Sequence, residues 1–381
     1  MHVIKSGVIY EVAEGAEKEF VSPFAEEIFQ QDTQSWGHEA WKFKDSEGDL
    51  ERGLVPRSML WGGGGKIKQP ARVKANYVYG APGRIYYVLE MTNSCGLFHY
   101  DFARNLETRL FHKADFRPRG LFVGEDYSIL TTVTNSDGTV HLVQLDSDGK
   151  REQAITSGDC VDENPFRHGS LIYYQSSGIA RNTEGLFMAN GPAAINTLDV
   201  NSGEVETILS SEKYDYLLPR VAKDGTLYCI QVPYHSQEPY ALATRLVDIV
   251  LFPWRMCVAI FAFLNVFSIF FAKKPLTSAG GPNLLKADIS RRILHNRVVN
   301  LQETMRRERK KVAVSRDWKL VRVTDGKVAE IASNVLWFEM DGRGLPVYTD
   351  GYRIFDNTGK KQFECDELVS GIALATTMAD H

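Results

Sequence analysis

The chain of 381 residues has no CxxC pair, and its five cysteines (Cys95, Cys160, Cys229, Cys257 and Cys365) are odd in number and widely spaced. This argues against a disulfide framework and against a structural zinc site. The N-terminal stretch lacks the long apolar run of a secretory signal, so a reducing, cytoplasmic location is the simplest expectation. Excess positive charge is also missing. The net charge of −4 argues against a general nucleic-acid binder.

Catalytic signatures are equally scarce. Trp61-Gly-Gly-Gly-Gly-Lys66 resembles a phosphate loop only superficially, because Leu60 stands where the first glycine is needed and Ile67 where a magnesium-binding hydroxyl is needed. His38-Glu39 opens like H-E-x-x-H, but position 42 is Lys. No G-x-S-x-G nucleophile elbow occurs. Asp159, Cys160, Asp162, Glu163 and His168 crowd together in the manner of metal ligands. Acidic side chains that bond turn amides explain that cluster better, so neither metal nor cofactor is expected.

What the chain does have is short strands separated by turn residues. Arg84–Glu90, Tyr127–Val133 and Val140–Leu145 read as strands. Asn135-Ser-Asp-Gly138, Asp146-Ser-Asp-Gly149, Asp224-Gly225, Asp325-Gly326, Asp341-Gly342 and Thr358-Gly359 read as turns with positive-φ positions. The segments recur as units near 72–115, 117–158 and 160–212, with a fourth opening at Tyr214 and further strands after Trp318. A repeat of about 40–50 residues predicts an all-β propeller of six or seven four-stranded blades.

Gln153-Ala-Ile-Thr-Ser-Gly-Asp-Cys-Val-Asp-Glu-Asn-Pro165, followed by His168-Gly-Ser-Leu-Ile-Tyr-Tyr174, resembles the blade boundary of TolB-like propellers. Tyr214–Pro219 before Asp224–Tyr228 is a second copy, and the resemblance spans about 115–235. His168-Gly169 stands where the family has Asp-Gly. The resemblance implies a propeller that binds proteins or ligands; some members are appended to peptidases, for which no domain fits in the remaining residues.

One segment breaks the strand pattern. Met256–Ala272 is a 17-residue apolar run with Asn265 and Ser268 as its strongly polar members. That is the short limit for a bilayer span. Trp254, Arg255, Lys273 and Lys274 flank it as interface anchors, and Phe261, Phe263, Phe267, Phe270 and Phe271 supply apolar surface. Lys286–Lys311 then carries nine Lys/Arg against three acids, including Arg291, Arg292, Arg297, Arg306 and Arg307. Its apolar residues recur at helical spacing, which predicts a basic amphipathic helix over about 287–311. Strand-like residues lie on both sides of the excursion. Both ends must therefore lie on one side of a membrane, which favours an interfacial or re-entrant helix over a simple span.

These observations divide the chain into propeller at 1–240, inserted helices at 241–311 and closing blades at 312–381. The leading expectation is a non-enzymatic scaffold, peripheral or monotopic on the cytoplasmic side of a membrane, binding anionic lipid and a protein partner. A second reading is an enzyme or sensor with a polar site in the central channel, drawing on Tyr174, Tyr216, Arg220, Tyr234 and His235. A third has the apolar helix join copies of the chain.

Overall fold

The computed structural model describes residues 1–13, 15–39, 73–91, 94–114, 116–149, 151–234, 291–295, 297–324 and 326–374. Two compact units are present. One comprises Met1–Ile28, Arg72–Ser236 and Ser290–His381 and contains every sheet found among the described residues; the other comprises Phe29–Ala71 and Gln237–Ile289. The helix α1 (Pro23–Glu39) runs from the first into the second.

The turns show why strands dominate. Asp341, Asp356 and Asn182 each open a turn in which the side-chain oxygen accepts the amides two and four residues on. The glycine at the fourth position donates its amide to the carbonyl of the opening residue. In the Asp341 turn the positive φ falls on Gly344 (78°) rather than on the expected Gly342. A side chain that satisfies two amides at once makes this reversal self-contained, so each turn needs only a few residues.

The strands group in fours. β1 (His2–Lys5), β2 (Val8–Ala13) and β3 (Ala16–Phe20) begin the first group. β4 (Lys74–Ala81), β5 (Arg84–Glu90), β6 (Cys95–Asp101) and β7 (Leu106–Lys113) form the next, an antiparallel meander. β8 (Leu121–Val123), β9 (Ile129–Thr134), β10 (Val140–Leu145) and β11 (Glu152–Ala154) follow. β12 (Cys160–His168), β13 (Leu171–Arg181), β15 (Ala194–Asp199) and β16 (Val205–Leu209) make another, with β14 (Phe187–Asn190) pairing the outer end of β13. A single parallel bridge, Val140↔Val161, joins these last two groups into one nine-stranded sheet.

β17 (Tyr214–Val221) and β18 (Leu227–Pro233) pair before the excursion; β21 (Lys319–Thr324) and β22 (Lys327–Ser333) complete their sheet after it. β18 and β21 are direct neighbours, with Leu227↔Val323 through Gln231↔Lys319 in register. The excursion therefore leaves and returns between adjacent strands. β23 (Trp337–Met340), β24 (Pro346–Thr349), β25 (Arg353–Phe355) and β26 (Lys361–Glu364) form the last meander. β27 (Val369–Ala373) then pairs with β1, with Val3 facing Ile372 and Ile4 facing Gly371.

The first strands of these groups touch in a closed circuit, from β27 to β4, β8, β12, β17, β23 and back to β27. Among the described residues there is no single central core. Apolar clusters lie between neighbouring groups instead. Ile4 and Ile9 meet Val78 and Ile85; Tyr86 and Leu97 meet Leu121 and Ile129; Phe122 and Leu142 meet Ile172 and Leu198. Ile195 and Leu209 meet Tyr216 and Val221, Leu217 and Ile230 meet Val335 and Phe338, and Ile354 meets Val3 and Ile372. Each buried Leu, Ile or Phe contributes about 1.5–3 kcal/mol. Sheets packed face to face around a ring are the arrangement of a propeller.

The structure corrects the basic segment. No continuous helix spans 287–311. β19 (Arg291–Leu294) and β20 (Arg297–Asn300) form a two-stranded hairpin, and helix α2 covers only Leu301–Glu308. The local chemistry explains the difference. His295 takes a left-handed turn conformation (φ 46°), and Ile293, Val298 and Val299 are β-branched residues suited to strands. Asn300 then caps α2, its side chain accepting the Glu303 amide at 3.1 Å. Among the described residues no helix is long and apolar enough to cross a membrane. The apolar run 246–272, with Trp254, Arg255, Phe261, Phe263, Phe267, Phe270, Phe271, Lys273 and Lys274, lies outside the described residues.

Candidate functional site: a charged network on the inner strands

The two copies of the blade-boundary motif fold alike. In each, the residue before proline is left-handed (Asn164 at φ 51°, Leu218 at φ 54°), and the strand pairing slips there. The bulge turns backbone amides and polar side chains out of the ladder. The Asn164 amide donates to the Arg119 carbonyl at 3.0 Å, and the Leu218 amide donates to Gln175 Oε1 at 3.0 Å. Gly120 is required beside this bulge, since a Cβ there would lie 2.7 Å from the Asn164 backbone.

Gln175 is the hub of the first charged group. Its Oε1 also accepts from Asn164 Nδ2 at 3.0 Å, and its Nε2 donates to Glu163 Oε2 at 2.6 Å. Glu163 Oε1 in turn accepts from Arg119 Nη1 at 2.9 Å. Three neighbouring strand groups are thereby tied by side chains. The second group is Arg220 on β17 and Glu339 on β23, where Nε lies 2.9 and 3.0 Å from the two carboxylate oxygens. Arg220 Nη1 also donates to the Pro219 carbonyl at 2.9 Å, and its guanidinium stacks over Phe166.

Tyr77 and Tyr79, two apart on β4, lie beside these groups. Burial pushes both phenols well above their ordinary value, with Glu163 adding to the effect at Tyr77 and Glu339 at Tyr79, while Arg119 and Arg220 oppose it. Both residues keep some solvent-accessible surface.

The third group comes from the 291–300 hairpin. Arg297 pairs with Asp215, whose other oxygen accepts the Ala193 amide at 2.6 Å. At the turn, the His295 ring stacks on Trp337 at 5.2 Å, and its Nε2–H donates to the Leu336 carbonyl at 2.8 Å. Burial lowers the His295 pKa to about 4, and the Arg297 and Arg220 cations act in the same direction. The indole nitrogen of Trp337 is buried without a hydrogen-bond partner.

Of the channel residues expected from sequence, Arg220 joins this network. Tyr174 packs against Ile172 and Leu198, with burial pushing its phenol up to about 12. Tyr216 packs against Ile195 and Cys229. The Tyr234 hydroxyl donates to the Asn190 carbonyl at 2.7 Å, near the β14 strand. His235 lies outside the described residues. Sequence reasoning missed Tyr77, Tyr79, Arg119, Gln175, His295, Trp337 and Glu339. One signal was present: Glu163 and Arg220 sit immediately around the two Xaa-Pro bulges.

Of the expected membrane-facing cations, Arg292, Arg306 and Arg307 are exposed, whereas Arg297 is committed to Asp215. Arg291 opens the β19 strand.

No protein-family model matches the sequence, and no curated protein matches it. Solved structures do resemble the fold. TolB from Acinetobacter baumannii is 12% identical, with a TM-score of 0.45 over 80% of this chain and 59% of that one. A nidogen/laminin complex structure is 9% identical, with a TM-score of 0.46 over 98% and 96% of the two chains. The tricorn protease is 10% identical, with a TM-score of 0.41 over 95% of this chain and 33% of that one. The chain thus spans less than two thirds of the TolB structure. In fold it is similar to TolB and to other β-propellers.

Proposed function

We propose that the chain is a six-bladed propeller acting as a non-enzymatic binding module, attached to an anionic membrane surface through the excursion between β18 and β21. The closed circuit of inner strands supports the blade number. The observation that carries attachment is on the hairpin. Ile293 and Val298 form a cross-strand pair and are 73% and 69% exposed. Arg292 is exposed beside them in sequence, and Arg306 and Arg307 follow on α2. Apolar side chains among exposed cations suit a lipid headgroup layer, and the apolar run 246–272 precedes them in the chain.

The paired charges of the inner strands support binding over catalysis. Arg119–Glu163, Arg220–Glu339 and Arg297–Asp215 are each neutralised by a partner, which suits them to hold strands together. The test is fractionation of the full chain against one lacking 237–289, with Ile293→Ser/Val298→Ser as a finer variant. Loss of both variants from the membrane fraction is expected. Unchanged partition of the deletion would overturn the reading. Release of the full chain by high salt would assign attachment to the cations, and release only by detergent to apolar insertion.

A second reading has one favourable observation. Tyr77, Tyr79 and the unpartnered Trp337 indole give a small molecule in the channel polar groups to meet. Saturable quenching of tryptophan fluorescence by a small metabolite, lost in Trp337→Phe, would support it.

A further inference from the structure

On the opposite side of β12 from the charged network lies a second cluster, to which the proposed function gives no role. Successive strand residues point to opposite faces. Glu163 turns to Arg119 and Gln175, and its neighbours Cys160 and Asp162, two apart, share the other face. β10 runs parallel beside β12 with Val140 opposite Val161. His141 therefore falls on the same face as Cys160 and Asp162. The ligand atoms of these three residues all lie within 4.8 Å of one another.

We propose that His141, Cys160 and Asp162 form a binding site for a zinc-class divalent cation. The spacing is close to what such an ion needs. Cys160 Sγ is 3.9 Å from His141 Nδ1 and 3.4 Å from Asp162 Oδ2. Tetrahedral bonds of about 2.3 Å to sulfur and about 2.0–2.1 Å to nitrogen or oxygen place neighbouring donors roughly 3.3–3.7 Å apart. Small side-chain adjustments close the difference.

The carboxylate is already oriented. Asp162 is 2% exposed, and its Oδ1 accepts the Ser176 hydroxyl at 2.6 Å, which leaves Oδ2 for the ion. A partner behind a ligand is the usual way a site fixes ligand geometry. His141 and Cys160 are each partly exposed, so an ion has a route in. Three protein donors leave a fourth position for water or an incoming group.

Burial, then the adjacent Asp162 carboxylate, pushes the Cys160 thiol up to about 12. An acid beside a thiol disfavours the thiolate until a cation sits between them, and binding would then release the thiol proton. Among the described residues, Cys95, Cys229 and Cys365 are buried free thiols and have no such grouping.

The test is titration of the full-length, chelator-stripped protein with cobalt(II), then zinc(II). One equivalent of cobalt should give tetrahedral d–d bands and a thiolate-to-cobalt charge-transfer band, both removed by zinc. Cys160→Ser should abolish the charge-transfer band, and His141→Ala should weaken zinc binding at least tenfold. Absence of the band in the parent chain, or its survival in Cys160→Ser, overturns the site. Should Cys160→Ser not fold, His141→Ala decides by zinc competition: unchanged affinity would equally overturn it.

Discussion

His295 shows how one side chain couples the hairpin to the sheets. It is held neutral between the Trp337 ring and the Leu336 carbonyl, with cations nearby. Its pKa falls from 6.5 to about 4 on folding, so the unfolded chain binds more protons between those values. Stability from this group is complete above pH 6.5 and is lost as the pH falls through that window. His2, stacked on Phe102 and buried with both ring nitrogens unpartnered, is lowered to about 4 as well, first by burial and then by the N-terminal amine. Stability against urea should therefore fall from pH 7 to pH 4.5. His295→Asn should flatten that slope, with His2→Asn removing a further part; an unchanged slope in the double variant would contradict the assignment. Arg220 and Glu339 offer a second check at this scale. Both side chains are largely buried, at 4% and 12% exposed. Arg220→Met alone leaves a buried carboxylate and should cost about 3–5 kcal/mol, whereas adding Glu339→Leu should recover much of it. Chemical denaturation of the four members of this cycle measures the coupling.

At the scale of elements, the 291–300 hairpin is where periodicity misled. Ile293, Leu294, Val298 and Leu301 satisfy a helical spacing, and Leu294 and Val298 would share a helix face. In the hairpin they separate: Leu294 is 7% exposed and Val298 is 69% exposed. Leu294→Ala should therefore cost about 2–4 kcal/mol, while Val298→Asp should stay within about 0.5 kcal/mol. Comparable losses from both would restore the helix reading. What told strand from helix was a left-handed His295 and the Asn300 cap, features of two residues that apolar spacing cannot register. Elsewhere the sequence was more legible. The repeat units near 72–115, 117–158 and 160–212 coincide with β4–β7, β8–β11 and β12–β16, because Asx–Gly turns are local chemistry visible in the chain. The charged network was largely hidden. Arg119 lies 44 residues from Glu163 and Arg220 lies 119 from Glu339, and the packing of neighbouring groups brings each pair together.

For the whole molecule, closure of that ring is the decisive step, and it depends on the two chain ends. β27 pairs with β1 through Val3↔Ile372, and Val3 and Ile372 are both almost fully buried. Ile4 and Ala373 pack toward the β4 group, while Val3, Val369 and Ile372 pack toward Ile354 and Cys365. One junction of N- and C-terminal strands thus supports two of the apolar interfaces between groups. Pairing of the ends has a high contact order, so loop-closure entropy is spent before these contacts form. The gain is that no group is left with a single packed face. Two results should follow. Val3→Ala and Ile372→Ala should each cost about 1–3 kcal/mol and couple by more than about 0.5 kcal/mol in a double-mutant cycle, although they lie at opposite ends of the sequence. Deleting residues 1–5 removes β1, the strand through which β27 is joined to β2 and β3. That loss approaches the whole stability of an ordinary domain, about 5–15 kcal/mol. Calorimetry of the truncated chain should show a broad, low-temperature transition in place of a cooperative one. A sharp transition near the parent's midpoint would mean that the sheets stand without closure.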